Sequence, residues 1–260
     1  MSSATWTPAA LSRERRRLSG SCWRIVESQY RVSTMKLVDT ADEQAALEQL
    51  LDQTKPPVPA ECRGLDYLLF TPFRYGAPYP NGSRFRRAGF TAGVFYASEA
   101  PATAVAEMAF HRLLFYADSP ATPWPANAGE YTVFSVAYKT VAALDLTRPP
   151  LNRDRDRWTN PADYVACQTL ADEARAAGVE VLRYESARDR SSPPAVNVAL
   201  LTCKAFASRK PAARQTWRLY LSAAGARAIC HHPDRRLEFT REAFAADPRL
   251  AAFRWQRAPD

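Results

Sequence analysis

Between Gly82 and His111 the chain places an arginine, a tyrosine, a carboxylate and a histidine: Arg84, Tyr96, Glu107 and His111. A guanidinium holds anions, a tyrosine stacks and hydrogen-bonds, and a fixed carboxylate stabilises a developing cation or accepts a proton. Most of these residues also have a plain structural reading. Arg84 opens Arg84-Phe85-Arg86-Arg87 and reads equally as a surface arginine, Tyr96 as a core tyrosine with one bonded hydroxyl, and His111 as a structural partner of Glu107. Ser186, in Tyr184-Glu185-Ser186-Ala187-Arg188, reads as a turn serine. Glu107 is different, because the segment around it is apolar nearly all round. Only Thr103, Glu107 and His111 recur there at i+4 spacing, with Arg112 beside them. A carboxylate in such a helix is paired, protonated or facing a cavity, so a functional site and a buried ion pair both stand as readings.

The elements that must carry these residues follow from periodicity and capping. Residues 1 to 20 show no periodicity and are expected to form a flexible arm, with order starting at Cys22-Trp23-Arg24. Thr40-Ala41-Asp42-Glu43 has capping-box spacing ahead of Leu47, Leu50 and Leu51, predicting a helix over 41–53 that the prolines after Lys55 end. Phe90 to Ala97 is strand-like. Ser98 offers an N-cap and Pro101 an early-helix proline for a helix over about 100–116. Glu130–Tyr138 and Ala143–Leu146 read as strands, and Asn160-Pro161 starts a helix that Gly178 ends. Further strands are expected at Val179–Tyr184, Val196–Cys203 and Thr216–Ser222, with a short helix at Thr240–Ala246. Without regular βαβ alternation the fold class is α+β: one domain over 21–260, a mixed or antiparallel sheet and flanking helices.

Composition narrows the chemistry. The 260 residues carry a net charge of +8, and of the 35 basic residues only five are lysines. The arginines are spread along the chain, so a basic pocket for an anionic small ligand accounts for them as well as a nucleic-acid surface does. Five cysteines at 22, 62, 167, 203 and 230 form no CxxC pair, so reduced thiols are expected. Cys230-His231-His232 is read as a solvated turn before Pro233 rather than a metal site. There is no GxxxxGK[ST] loop, GxGxxG, GxSxG or HExxH motif. No secretory signal and no spanning segment are apparent, which leaves a cytoplasmic protein as the default.

Taken in order, Trp23-Arg24, Gly82-Ser83-Arg84-Phe85, Tyr96-Ala97-Ser98, Ala104-Val-Ala-Glu107-Met-Ala-Phe-His111 and Glu185-Ser186 resemble the motifs of the RES domain, a bacterial toxin family named for an Arg, a Glu and a Ser. The resemblance covers a core of about 22–225, with 226–260 a C-terminal extension. Here Gly-Ser replaces the usual Gly pair, Phe85 replaces a Trp, Glu185 stands where a Pro is common, and an insertion precedes Arg84. The resemblance implies a fold similar to ADP-ribosyltransferase toxins and cleavage of the nicotinamide–ribose bond of NAD+, with NAD+ the substrate and no cofactor or metal. It implies that Glu107, Arg84 and Ser186 are catalytic, and that Arg84, Tyr96, Ser186 and His111 bind NAD+. Arg74 and Arg86 are the alternative anion-binding arginines. It also implies a small helix-turn-helix antitoxin encoded alongside. Transfer of ADP-ribose to a macromolecule, and a noncatalytic nucleic-acid-binding module, are the competing functions.

Overall fold

The computed structural model describes residues 6–28, 37–77, 82–189 and 191–256. One eight-stranded mixed sheet runs through the molecule in the order β1-β2-β5-β4-β3-β6-β7-β8. Its strands are β1 Arg16–Glu27, β2 Phe95–Ser98, β3 Gly129–Asp145, β4 Val181–Glu185, β5 Val196–Leu200, β6 Arg214–Ser222, β7 Gly225–Cys230 and β8 Arg235–Thr240. Among the described residues only β3 and β4 run parallel. The strand β3 spans the two segments expected as separate strands. Its first half lies between β1 and β6, and its last residues pair with β4. Because β1 also pairs with β2, the pairings among β1, β2, β5, β4 and β3 close a circuit. Alternation fills the inside of that circuit with Cys22, Phe95, Phe134, Val136, Val198 and Leu200. The intervening residues Tyr96, Ser98, Tyr184 and Asn197 point outward, toward the helices.

The helices are α1 Pro8–Arg13, α2 Ala41–Thr54, α3 Tyr67–Arg74, α4 Pro101–Asp118, α5 Arg155–Trp158, α6 Val165–Ala176 and α7 Pro248–Ala251. In α2 the capping box forms as its residues dictate: Thr40 and Glu43 exchange side chain for backbone, and Lys55 is the C-cap. In α4 the expected cap differs. Ala100 is the N-cap without a side-chain bond, and the Ser98 hydroxyl instead donates to Asn197 Oδ1 at 2.6 Å. The apolar faces of α4 pack with Trp217, Leu219 and Phe244 in one core, while α1, α6 and Phe85 form another against the outer face of β4 and β5.

Two further expectations fail. Residues 6–20 are regular structure rather than a flexible arm. Thr7 caps α1, Leu11 is fully buried in the α6 core, and the Trp6 indole donates to Asp154. One buried leucine in a single short helix leaves no period to read. The cysteines are not all reduced either: Cys62 and Cys203 form a disulfide with Cα atoms 5.6 Å apart, and Cys22, Cys167 and Cys230 are free and buried. The bonded pair is separated by 141 residues, which no spacing motif encodes. His231 and His232 sit exposed in the turn between β7 and β8. Among the described residues no helix is long and apolar enough to cross a membrane.

Candidate active site

Where α4 crosses the outward face of β2, β5 and β4, a cavity of about 380 Å³ opens. Its size suits a small-molecule site. Arg24 of β1, the Gly82–Arg84 turn, Tyr96, Glu107, His111, Tyr164, Arg188 and Asn197 line it. Glu107 projects from α4 with its Oε1 accepting from Ser186 Oγ at 2.7 Å and from Asn197 Nδ2 at 2.6 Å. Among the described residues both bonds fall on Oε1, which leaves Oε2 to the cavity. Asn197 is itself oriented by Ser98, so a carboxylate is fixed through two hydrogen-bonded layers. Among the described residues Glu107 forms no ion pair.

The turn carrying Arg84 is built by its neighbours. Ser83 and Arg86 exchange backbone hydrogen bonds, the Tyr96 hydroxyl accepts from Phe85 N at 2.8 Å and bonds Ser83 Oγ at 2.9 Å, and the Gln168 amide donates to Ser83 O. Phe85 is driven into the core edge-on to Tyr184, which aims the adjacent Arg84 the other way. Arg84 Nη1 donates to Trp158 O at 2.7 Å and its guanidinium lies over the Tyr164 ring. Arg24 donates to Tyr96 O, packs on Phe95 and has a buried Nε without a partner among the described residues. Burial lowers its pKa to about 10. Among the described residues no carboxylate pairs with Arg84 or Arg24, so two guanidinium charges face the cavity with room for an anion.

Solvent reaches His111, yet the protein around it removes enough water to hold its pKa below the ordinary 6.5. Glu107 opposes the shift, and Arg188, Arg249 and Arg84 reinforce it. The neutral ring is favoured in the folded state, so its stabilising contribution is present above about pH 6.5 and declines as pH falls toward the folded value. Titration of the three histidines by NMR is expected to give His111 a midpoint below 6.5.

A family model of the RES domain matches residues 58–222. This chain belongs to the RES domain family. The match runs from the proline-rich segment after α2 to the end of β6 and takes in Arg84, Tyr96, Glu107, Ser186 and Asn197, whereas Arg24 and everything from β7 onward lie outside it. None of the curated proteins matches the chain. Among solved structures, a chain in the crystal structure of the M. tuberculosis MbcT–MbcA toxin–antitoxin complex aligns at 12% identity over 81% of this chain and 92% of that one, with a TM-score of 0.44.

Within the RES domain the residues expected from sequence divide into two sets. Arg84, Tyr96, Glu107 and His111 converge on the cavity. Ser186 does not line it. Its hydroxyl donates to Glu107 and accepts from the backbone N–H groups of Arg188 and Asp189, so it holds the carboxylate and does not face a ligand. Arg74 and Arg86 lie away from the cavity because their guanidinium groups are spent on backbone carbonyls, Arg74 on Pro56 and Arg86 on Thr91. Sequence reasoning missed Asn197, Arg24, Tyr164 and Arg188. The signal for Asn197 was present: a lone amide in Val196-Asn-Val-Ala-Leu200 must find partners when buried.

Gly82 makes the turn possible. Its φ is +64°, and an added Cβ would meet Arg86 O at 2.4 Å and Ala88 N at 2.6 Å. Gly82→Ala is therefore expected to cost about 1–2 kcal/mol for the left-handed backbone alone, with more from the clash. The denaturation midpoint measures it, and an unchanged midpoint would show that the turn relaxes freely.

Proposed function

We propose that this RES domain cleaves the nicotinamide–ribose bond of NAD+ and acts as the toxin of a toxin–antitoxin pair. The observation that carries this reading is Glu107: a carboxylate with one oxygen locked by Ser186 and Asn197 and the other facing a cavity flanked by Arg84 and Arg24, neither paired with a carboxylate among the described residues. In NAD+ the reacting carbon, C1′, belongs to a ribose whose 5′ oxygen is esterified to a pyrophosphate, so an anion-binding wall beside a cation-stabilising carboxylate matches its charge pattern.

As the C1′–N bond breaks, its electron pair passes to the pyridinium nitrogen and nicotinamide leaves as a neutral base. No general acid is required. The ribose left behind has oxocarbenium character, and a preorganised carboxylate opposite that charge lowers the barrier. Glu107 Oε2 would supply it while accepting from the 2′-hydroxyl. Arg84 and Arg24 would bind the pyrophosphate, and Tyr96 would pack against nicotinamide or its ribose while keeping the arginine turn in place. A neutral His111, one turn along α4, keeps a second cation from competing for Glu107. The acceptor of C1′ is water or inorganic phosphate. The resemblance further implies a small helix-turn-helix antitoxin that neutralises the activity.

Incubating the purified chain with NAD+ tests the reading. Loss of NAD+ with stoichiometric nicotinamide is expected, giving ADP-ribose in plain buffer or its phosphate when phosphate is required. Label appearing in a macromolecule after addition of lysate would replace cleavage by transfer. Unconsumed NAD+ together with tight, salt-steep nucleic-acid binding would overturn the reading.

A further inference from the structure

The segment after β8 lies outside the family match and packs behind the site. Residues Arg241–Phe244 form a 3₁₀ turn, Asp247 caps α7, and Phe244, Leu250 and Trp255 pack into the core that α4 shares with β6 and β7. Phe244 lies edge-on to Phe110 of α4, with ring centres 5.6 Å apart. This packing buries Asp247 completely and sets its Oδ2 3.1 Å from Arg188 Nη1, whose own side chain is 4% exposed. Arg249 binds the same carboxylate from the other side at 2.8 Å.

Arg188 is the point where the two halves of the site meet. Its guanidinium lies 3.5 Å above the Phe110 ring, and its Nη2 donates to Pro161 O and to the Tyr164 hydroxyl at 3.1 Å. Tyr164 is the ring beneath Arg84. The backbone N–H of Arg188 donates to Ser186 Oγ, the hydroxyl that holds Glu107 Oε1. The same residue thus touches the support of the arginine through its side chain and the support of the carboxylate through its backbone.

We infer that Asp247 is a positioning residue of this active site, clamping Arg188 so that Glu107 and Arg84 are both held in register. The inference rests on the proposed NAD+ chemistry for its kinetic test and on geometry alone for its spectroscopic one. A buried carboxylate between two guanidinium groups cannot move without leaving a charge unpaired, so the clamp is stiff. Removing its charge leaves Arg188 with no ionic partner among the described residues, and its guanidinium is then held by the neutral contacts with Pro161 O, the Tyr164 hydroxyl and the Phe110 ring.

Three variants of the full chain test this: Asp247→Asn, Arg188→Met, and the double variant Arg188→Met/Asp247→Leu. Asp247→Asn is expected to stay folded while kcat for NAD+ cleavage falls on the order of 10- to 10²-fold, the effect of a misplaced reacting group. The double variant removes both charges of the Arg188–Asp247 pair, and with them the α7 cap and the partner of Arg249. It is expected to melt below the wild type and to turn over no faster than Arg188→Met. Recovery of turnover together with stability would reduce Asp247 to a structural residue and overturn the inference. The spectroscopic arm uses the His111 ring signals, which are expected to move in Asp247→Asn while those of His231 and His232 stay. Unmoved His111 signals overturn the inference even if the double variant fails to fold. Should the wild type leave NAD+ intact, the proposed reaction falls, and the His111 signals still decide the positioning role.

Discussion

Glu107→Gln is expected to fold and bind NAD+ like the wild type while losing at least about 10²-fold in kcat, roughly 3 kcal/mol of transition-state stabilisation. Glutamine is isosteric, and its carbonyl oxygen can take the place of Oε1 as acceptor from Ser186 and Asn197. The inner layer of hydrogen bonds therefore survives. The group that changes is the one facing the cavity, where a negative oxygen is replaced by an amide that donates. A neutral amide offers nothing to a developing oxocarbenium, so the loss falls on kcat and leaves the Michaelis constant near its original value. Single-turnover measurement of nicotinamide release, beside a melting curve, separates the two effects. A folded variant with undiminished turnover would remove Glu107 from the mechanism and leave the cavity as a binding site only.

Glu107 stands out in the sequence because its helix is apolar nearly all round. Eighteen residues of α4 bury Thr103, Val105, Ala106, Ala109, Phe110 and Leu113, so one carboxylate in their midst announces itself. The helix α2 was equally legible, since a capping box is a local object. What stayed hidden depends on distance or on disguise. The partners of Glu107 come from loops and strands 79 and 90 residues away, and a serine or an asparagine in isolation carries no sign of what it will bond. The strands β7 and β8 were disguised by arginines. In Arg235-Arg-Leu-Glu-Phe-Thr240 only Leu237 and Phe239 turn toward the core, and a two-residue alternation among charged side chains is too short to stand out. Missing those strands meant missing Asp247 as well, because the C-terminal segment reaches Arg188 only after β7 and β8 have carried the chain across the sheet. The arginine question was undecidable from sequence for a similar reason. Arg74, Arg84 and Arg86 differ only in which carbonyls lie nearby once the chain has folded.

That difference sets the second large expectation, for Arg84→Ala. All three arginines donate to backbone carbonyls, but Arg84 alone also lines the cavity, with its guanidinium over Tyr164 and no carboxylate paired with it among the described residues. A charge held by neutral acceptors and an aromatic face keeps most of its capacity for an anion. Hydrogen bonds to a charged group contribute about 1.5–3 kcal/mol each, so losing the contact should raise the Michaelis constant for NAD+ on the order of 10- to 10²-fold. The effect on kcat should be smaller, because the pyrophosphate keeps its charge throughout the reaction and is bound alike in ground and transition states. Arg84→Lys should recover only part of the affinity, since a single ammonium cannot reproduce the bidentate fork. Arg74→Ala serves as the control: its guanidinium donates to Pro56 O near Asp52, outside the cavity, and its loss should leave the constant within about twofold. Steady-state kinetics on the three variants decide the matter. A constant unmoved by Arg84→Ala would shift the pyrophosphate to Arg24, whose buried Nε has no partner among the described residues and which is the next cation on the cavity wall.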